Sequence, residues 1–192
     1  MRRAAGAGLV FMALLSGASP ALSAAGPEKL AACLACHGAD GQSQIENVPS
    51  LSAQQPAYSL IQLFMFREKM RVAEPMNEAA KGLTDTDLQS IADALAVLPP
   101  PKPPDDPADP GRLEQSRAAA EQNHCNICHR PDFAGQQTVP RLAGQREDYL
   151  LKTLREYKTG ERRAYEPIML EVLQPFDDSQ LVEFAYYLSH LR

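Results

Sequence analysis

The amino-acid sequence predicts an all-α protein that consists of two similar domains in tandem. Three observations support this prediction: an internal repeat, a proline-rich segment between its two copies, and apolar residues spaced for helices. The repeat is clearest where Val48-Pro49-Ser-Leu51 recurs as Val139-Pro140-Arg-Leu142 and Gln54 recurs as Gln145. A repeat of this length indicates a duplicated domain rather than a solenoid.

The expected helices follow from the spacing of apolar residues. In Leu88–Leu95 and in Leu181–Leu188 these residues recur at i, i+3, i+4 and i+7, as on one face of an α-helix. Thr84 with Asp87 resembles a capping box before the first segment, and Asp177 precedes the second as a cap. The other expected helices begin near Pro56, begin near Glu147, or lead into the cysteine pairs, most clearly over Leu113–Asn123.

Residues 99–110 separate the two copies of the repeat. This segment contains seven prolines among twelve residues, and proline lacks the backbone N–H that helices and inner strands need. We therefore expect an extended, semi-rigid linker between an N-terminal domain over residues 26–98 and a C-terminal domain over residues 111–192. Each domain has only about 70–80 residues, for which an apolar core alone is marginal.

Residues 1–25 are typical of a signal peptide for export. Arg2-Arg3 supplies the positive start, Leu9–Leu15 is a short apolar stretch, and small residues surround the expected cleavage position after Ala24 or Ala25. The apolar stretch is shorter than the roughly 20 residues that cross a bilayer. An uncleaved membrane anchor is the alternative to a soluble, exported protein.

The mature chain is acidic. Removal of residues 1–25 takes away two of the 19 basic residues and none of the 24 acidic residues, which leaves a net charge of −7. Such a surface is unsuited to nucleic acid. We expect protein partners with basic docking faces, and association with a membrane only through such partners.

Two cysteine motifs indicate the chemistry. Cys33-Leu-Ala-Cys36-His37 and Cys125-Asn-Ile-Cys128-His129 both have the pattern C-x-x-C-H, which is typical of c-type haem attachment. Two copies at matching places of a duplicated, exported chain predict two covalently bound haem c groups. A four-cysteine zinc site is an alternative, but it does not explain a histidine after each pair. A thioredoxin-like redox pair is another, but it needs βαβ strands that the sequence does not suggest.

Each haem iron then needs a second axial ligand, for which methionine is a common choice. Met169 is the only methionine of the second half, and it lies 40 residues after His129. Met76 lies at the matching place of the first half, 39 residues after His37. The repeat therefore selects Met76 over Met65 and Met70, which are expected to pack on a helical segment.

Pro49 and Pro140 follow the motif histidines by twelve and eleven residues. An iron-bound imidazole needs a hydrogen-bond partner for its other ring nitrogen. A backbone carbonyl in a rigid proline turn supplies such a partner, and a plain turn proline is the alternative.

Four further side chains have two interpretations each. His124 and His190 lack counterparts in the first half, and each is either an ordinary surface or edge histidine or a ligand that displaces a methionine. Arg71 matches Arg162 across the repeat, and each either neutralises a haem propionate or is solvated.

With these residues the chain resembles the diheme class I cytochromes of the cytochrome c4 type. The resemblance covers nearly the whole mature sequence, and it rests on the segment that begins at Cys33, on Val139–Gln145 with Tyr149, and on the positions of Met76 and Met169. It implies two tandem cytochrome c domains, each wrapped around one covalently bound haem c. The residues that it assigns to the two sites are Cys33, Cys36, His37, Pro49 and Met76, and Cys125, Cys128, His129, Pro140 and Met169.

The resemblance also implies a periplasmic electron carrier of a respiratory chain rather than an enzyme. Its electron donor would be a quinol-oxidising complex or a dehydrogenase, and its acceptor a terminal oxidase or reductase. The alternative is the electron-acceptor subunit of a periplasmic dehydrogenase such as flavocytochrome c sulfide dehydrogenase. A diheme peroxidase is a third possibility, but it needs an iron with an open ligand position, which two matched methionines disfavour.

Overall fold

The computed structural model describes Met1, residues 25–162 and residues 167–192, and these residues contain nine α-helices and no β-strand. In chain order the helices are α1 (Ala25–His37), α2 (Pro56–Arg67), α3 (Met76–Ala80), α4 (Asp85–Ala96), α5 (Pro110–Gln122), α6 (Cys125–His129), α7 (Glu147–Thr159), α8 (Ile168–Val172) and α9 (Asp178–Ser189). The predicted all-α class is confirmed. The predicted signal peptide lies almost wholly outside the described residues, and none of the described helices has the length and apolarity needed to cross a membrane.

The same arrangement of helices occurs in both halves of the chain. In the first half α1 and α2 pack against α4, and the short α3 packs against α2. In the second half α5 and α7 pack against α9, and the short α8 packs against α7. Each half has its own apolar core, so the sequence repeat corresponds to a repeat in three dimensions.

The apolar faces predicted for α4 and α9 line these two cores. The predicted residues are at most 6% exposed: Leu88, Ile91, Ala92 and Leu95 on α4, and Leu181, Phe184, Ala185 and Leu188 on α9. In the second half the rings of Phe176 and Phe184 pack edge to face, with their centroids 5.0 Å apart. The helical spacing in the sequence therefore identified the buried face of each final helix.

The capping box predicted at the start of α4 is present and also ties this helix to α1. The Oγ1 atom of Thr84 accepts a hydrogen bond from the Asp87 backbone N–H at 3.2 Å, and Oδ2 of Asp87 accepts one from the Thr84 N–H at 2.8 Å. Lys29 of α1 donates to the same carboxylate oxygen at 2.6 Å. These hydrogen bonds from Lys29 and Thr84 lower the pKa of Asp87 to about 2.

Replacement of Thr84 by alanine is expected to destabilise the N-terminal half, because the first turn of α4 loses the side chain that caps it. The free energy of unfolding should fall by about 1 kcal/mol, which corresponds to about 4–8 °C in melting temperature for a domain of this size. Thermal denaturation of the haem-loaded protein measures the effect. Thr86→Ala is the matched control because Thr86 is exposed on the same helix; an equal loss in both variants would contradict the capping role.

The proline-rich linker lies against both halves. Gln42 holds it from the first half, because its side-chain amide donates to the Lys102 carbonyl at 3.0 Å and accepts from the Lys102 N–H at 3.1 Å. Pro101 is buried, and the backbone N–H of Asp109 donates to the Tyr186 hydroxyl of α9 at 2.7 Å. The helix that follows begins at Pro110, three residues before the predicted start, since Asp109 caps it and proline is well suited to a first helical position.

Candidate haem sites

The two C-x-x-C-H motifs lie on helices in both halves. In the first half α1 runs through the whole motif and ends at His37. In the second half the motif forms a separate short helix, α6, because His124 has left-handed backbone angles (φ 61°, ψ 21°) and interrupts the chain after α5. His124 lies directly before α6, and its side chain is exposed, as expected for an ordinary surface histidine. Within each motif the two thiols are three residues apart on one helical turn and share a face.

The motif histidines are buried and hydrogen-bonded to the two prolines identified in the sequence. Nδ1 of His37 lies 2.8 Å from the carbonyl oxygen of Pro49, and Nδ1 of His129 lies 3.0 Å from that of Pro140. A carbonyl oxygen only accepts, so each Nδ1 carries the proton and the lone pair of a neutral imidazole is on Nε2. Burial lowers the pKa of both imidazoles more than the hydrogen bonds to the prolines raise it, which favours the neutral form.

The turns that follow the two histidines have similar backbone angles although their sequences differ. In the first half Gly38 and Gly41 have φ values of +89° and +78°. At the matching places of the second half Arg130 and Phe133 have φ values of +70° and +51°, a region that L-residues with side chains seldom occupy. Phe133 is 2% exposed and packs edge-on against Tyr187. In the second half, the packing of Phe133 in the core therefore stabilises a turn that the first half forms with glycine.

The four motif cysteines form no disulfide with one another. Cys36 and Cys128 are exposed, while Cys33 and Cys125 are half-buried. Burial raises the pKa of the Cys33 and Cys125 thiols. In the described part of the chain no group of three or more His, Cys, Asp or Glu side chains is placed to share a metal ion, as a four-cysteine zinc site requires.

The two predicted methionine ligands occupy matching places on short helices. Met76 is the first residue of α3 and Met169 the second residue of α8; both are half-buried, and Met169 packs against the core of the second half. Met65 is buried in α2 at 2% exposure, as predicted. Met70 lies beyond the end of α2 and is 50% exposed, so the prediction that it packs on a helix is wrong.

His190 is the residue that follows the last turn of α9. Its Nδ1 lies 2.8 Å from the Tyr186 carbonyl oxygen, and its ring packs against the Tyr186 ring. The Nδ1 hydrogen bond and the aromatic contact account for this half-buried side chain as an ordinary residue at a helix end.

The residues present fit a covalently bound haem in each half. The donor set consists of two thiols on one helical turn, a neutral imidazole with Nε2 free, and a thioether on a separate short helix. Apolar side chains around the first core are only partly buried and offer a surface that a porphyrin would cover: Leu30, Leu34, Leu51, Leu60, Leu83 and Leu98.

Two glutamines join the halves in a reciprocal manner that the sequence did not reveal. Gln145 of the second half binds the backbone of Ser50: its Oε1 accepts from the Ser50 N–H at 2.8 Å and its Nε2 donates to the Ser50 carbonyl at 2.8 Å. Gln54 of the first half binds the backbone of Arg141 in the same way, at 2.7 and 3.2 Å. The only signal in the sequence was that Gln54 and Gln145 match in the repeat.

A second pair of contacts follows the same pseudo-twofold relation. Arg146 donates from Nη1 to the Ser43 carbonyl at 3.2 Å, and Gln55, at the place that matches Arg146, donates from Nε2 to the Gly135 carbonyl at 3.2 Å. The two halves therefore contact each other through matching surfaces.

The arginines that match across the repeat lie at this interface, where Arg162 is buried and Arg71 is half-buried. Arg162 is 4% exposed and donates to the hydroxyls of Tyr149 and Tyr58 at 3.2 and 3.3 Å. Arg71 lies 3.5 Å from the same Tyr149 oxygen. Burial alone would raise the pKa of Tyr149, but the positive charges of Arg162 and Arg71 lower it to about 7, whereas burial raises the pKa of Tyr58 to about 12.

Comparisons with known proteins agree with this description. The sequence model of the cytochrome c family matches residues 114–192. A cytochrome c4 of Pseudomonas aeruginosa is 35% identical over 149 residues, which cover 73% of each chain. A thiosulfate dehydrogenase electron acceptor of Stutzerimonas stutzeri is 30% identical over 175 residues, 83% of this chain and 79% of its own.

A solved structure extends the likeness to three dimensions. The reduced recombinant cytochrome c4 from Pseudomonas stutzeri superposes with a TM-score of 0.78 at 26% identity, over 86% of this chain and 96% of its own. The predicted fold of two tandem cytochrome c domains and the predicted pair of covalently bound haem c groups are confirmed by these relationships. The chain therefore belongs to the cytochrome c4 family of diheme electron-transfer cytochromes.

Proposed function

We propose that the chain is a periplasmic electron carrier in which His37 and Met76 bind one haem iron and His129 and Met169 bind the other. The thiols of the adjacent C-x-x-C motifs attach the porphyrins. The two sites belong to domains that span residues 26–98 and 111–192, joined by the linker of residues 99–110.

The observation that carries this proposal is the donor set, which occurs twice. In each half a buried imidazole has its Nδ1 proton bound by a proline carbonyl, so that only Nε2 is free to act as a ligand. In each half a half-buried methionine lies near the start of a short helix, shortly after a proline. Chance placement of a lone methionine does not explain the same position in both copies.

The proposed ligands suit electron transfer rather than catalysis. The bound haem supplies one-electron chemistry, because its iron alternates between the ferrous and ferric states. Pro49 and Pro140 fix the orientation of the two imidazoles. An iron bound by both a methionine thioether and a histidine imidazole of the protein would have no position left for a substrate.

The expected partners are redox proteins outside the cytoplasm. The residues that resemble an export signal support a periplasmic location, and the net charge of −7 of the mature chain supports partners with basic docking faces. A quinol-oxidising complex or a dehydrogenase would supply the electron, and a terminal oxidase or reductase would accept it.

The proposal is tested by exposing the reduced protein to carbon monoxide at neutral pH. We expect no change in the haem spectrum, because in each half a histidine and a methionine of the protein would both bind the iron. A carbon monoxide spectrum that accounts for one haem would contradict the proposal and would point to peroxidase-type chemistry at that site.

A second candidate function is that of an acceptor subunit for a dehydrogenase. The specific observation in its favour is the 30% identity to the thiosulfate dehydrogenase electron acceptor over most of both chains. Purification of the protein from its native host separates the two functions. A free carrier elutes alone, whereas an acceptor subunit elutes with a dehydrogenase in a fixed ratio.

A further inference from the structure

The two interface glutamines bind the same peptide groups that hold the motif histidines. The carbonyl of Pro49 accepts the His37 hydrogen bond at 2.8 Å, and the N–H of that peptide group, which belongs to Ser50, donates to Oε1 of Gln145 at 2.8 Å. A peptide group is one planar, resonance-coupled unit. Gln145 of the second half is thus joined to His37 of the first half through a single peptide group.

The corresponding arrangement connects His129 to the first half. Pro140 accepts from His129 at 3.0 Å, and the N–H of the same peptide group, which belongs to Arg141, donates to Oε1 of Gln54 at 2.7 Å. Each histidine is therefore linked to a glutamine of the opposite domain.

The orientation of both glutamine amides follows from their contacts. Oε1 of Gln145 accepts from the backbone N–H of Ser50 and also from that of Arg146, at 2.8 and 2.9 Å. Oε1 of Gln54 likewise accepts from Arg141 and from Gln55, at 2.7 and 2.9 Å. The reversed orientation would direct a donor NH₂ group at two N–H donors, so the oxygen must face the peptide group.

We propose that Gln145 and Gln54 are positioning residues that act across the domain interface, so that each domain adjusts the reduction potential of the haem in the other. The proposal rests on the ligation proposed above, in which His37 and His129 bind iron. Gln145 affects the N-terminal haem and Gln54 the C-terminal haem, each through the peptide group that it binds.

The direction of the effect follows from hydrogen-bond cooperativity. An acceptor on the N–H side of a peptide group draws electron density toward its carbonyl oxygen, which strengthens the hydrogen bond from the histidine. A more strongly bound Nδ1 proton makes the imidazole a stronger electron donor to iron. This stabilises the ferric state and lowers the potential. Gln145 and Ser50 are at most 7% exposed, so water does not screen the contact between them.

The test uses Gln145→Met and Gln54→Met, which keep the approximate side-chain length but remove the acceptor. Potentiometric titration followed by NMR of the haem signals, assigned with the Met76 and Met169 variants, gives the potential of each haem. We expect Gln145→Met to shift the electron distribution toward the N-terminal haem by about threefold, which is about 28 mV for a one-electron couple. Gln54→Met should shift it toward the C-terminal haem by a similar factor.

A second readout is the NMR signal of the Nδ1 proton. In Gln145→Met the signal of His37 should move as its hydrogen bond weakens, while that of His129 stays in place. A structural role alone would move both signals or neither, because loosening of the interface affects both halves.

Gln42→Ala is the matched control. Gln42 forms the same two-bond contact with a backbone, that of Lys102 in the linker, but it touches neither peptide group that holds a histidine. Its loss should leave both potentials unchanged.

Gln145→Glu is a second variant that keeps the proposal testable if Gln145→Met does not fold. A carboxylate keeps an oxygen acceptor for the Ser50 N–H and adds negative charge, so the N-terminal potential should stay at or below that of the wild type. The proposal would be overturned by a higher N-terminal reduction potential in Gln145→Glu, or by an equal shift of both reduction potentials in Gln145→Met. It would also be overturned if Gln145→Met shifted neither potential while both methionine–iron bands stayed intact. Failure of the proposed iron ligation would be recognised separately, because replacement of His37 or His129 would then leave the haem spectrum unaltered.

Discussion

Serine in place of both Cys125 and Cys128 is expected to remove one of the two haems and to unfold the C-terminal half. Both covalent bonds to that porphyrin are lost, and with them the group expected to complete the apolar core. Residues 111–192 are 82 residues, close to the size of about 70–80 residues below which an apolar core rarely supplies more than about 3–5 kcal/mol by itself. Intact-mass measurement of the purified protein should show one haem addition instead of two, and circular dichroism should show a loss of helix.

Ile127→Ala is the control for this experiment. Ile127 lies between the two cysteines and is 67% exposed, so its replacement changes the motif without touching a thiol. We expect two haems and an unaltered helix content. Two haem additions in the double-serine variant would refute the assignment of these cysteines.

Alanine in place of Met169 or Met76 is expected to abolish one methionine–iron absorption band at the red edge of the oxidised spectrum. Axial ligands set haem potentials over a range of about 0.8 V, and loss of the thioether should lower the potential of that haem by on the order of 0.1–0.2 V. Optical spectroscopy with potentiometric titration measures both effects.

Met65→Ala and Met70→Ala are the controls for the first half. Met65 is a buried packing residue and Met70 is half exposed, so neither replacement should remove the band. Removal of the band by Met70→Ala, with Met76→Ala silent, would show that the alignment of the repeat is wrong in the first half.

The helices were predictable because their signals are local. Pro56 and Glu147 begin α2 and α7 as expected, and Thr84 and Asp177 cap α4 and α9 through capping boxes. The start of α5 was placed too late because Pro110 was grouped with the prolines of the linker, although a proline after an aspartate also begins helices well.

The contacts between the halves were not predictable from the same signals. The match of Gln54 with Gln145 in the repeat shows that both halves have a glutamine there, but the partner of each side chain depends on how the domains dock. The burial of Arg162 among tyrosines has the same origin, since two of its hydrogen bonds reach residues far apart in the chain, Tyr58 and Tyr149. The left-handed His124, which separates α5 from α6, was not predicted, although histidine is among the residue types enriched at positive φ.

The reciprocal contacts of Gln54 and Gln145 have the form of an isologous interface, by which two identical subunits associate into a closed dimer. The two halves of this one polypeptide thus contact each other in the way that two subunits of a homodimer do. The linker makes the association intramolecular, so its extent does not depend on the concentration of the protein. The two-haem unit consequently stays assembled when the protein is diluted, whereas a dimer of separate chains would dissociate.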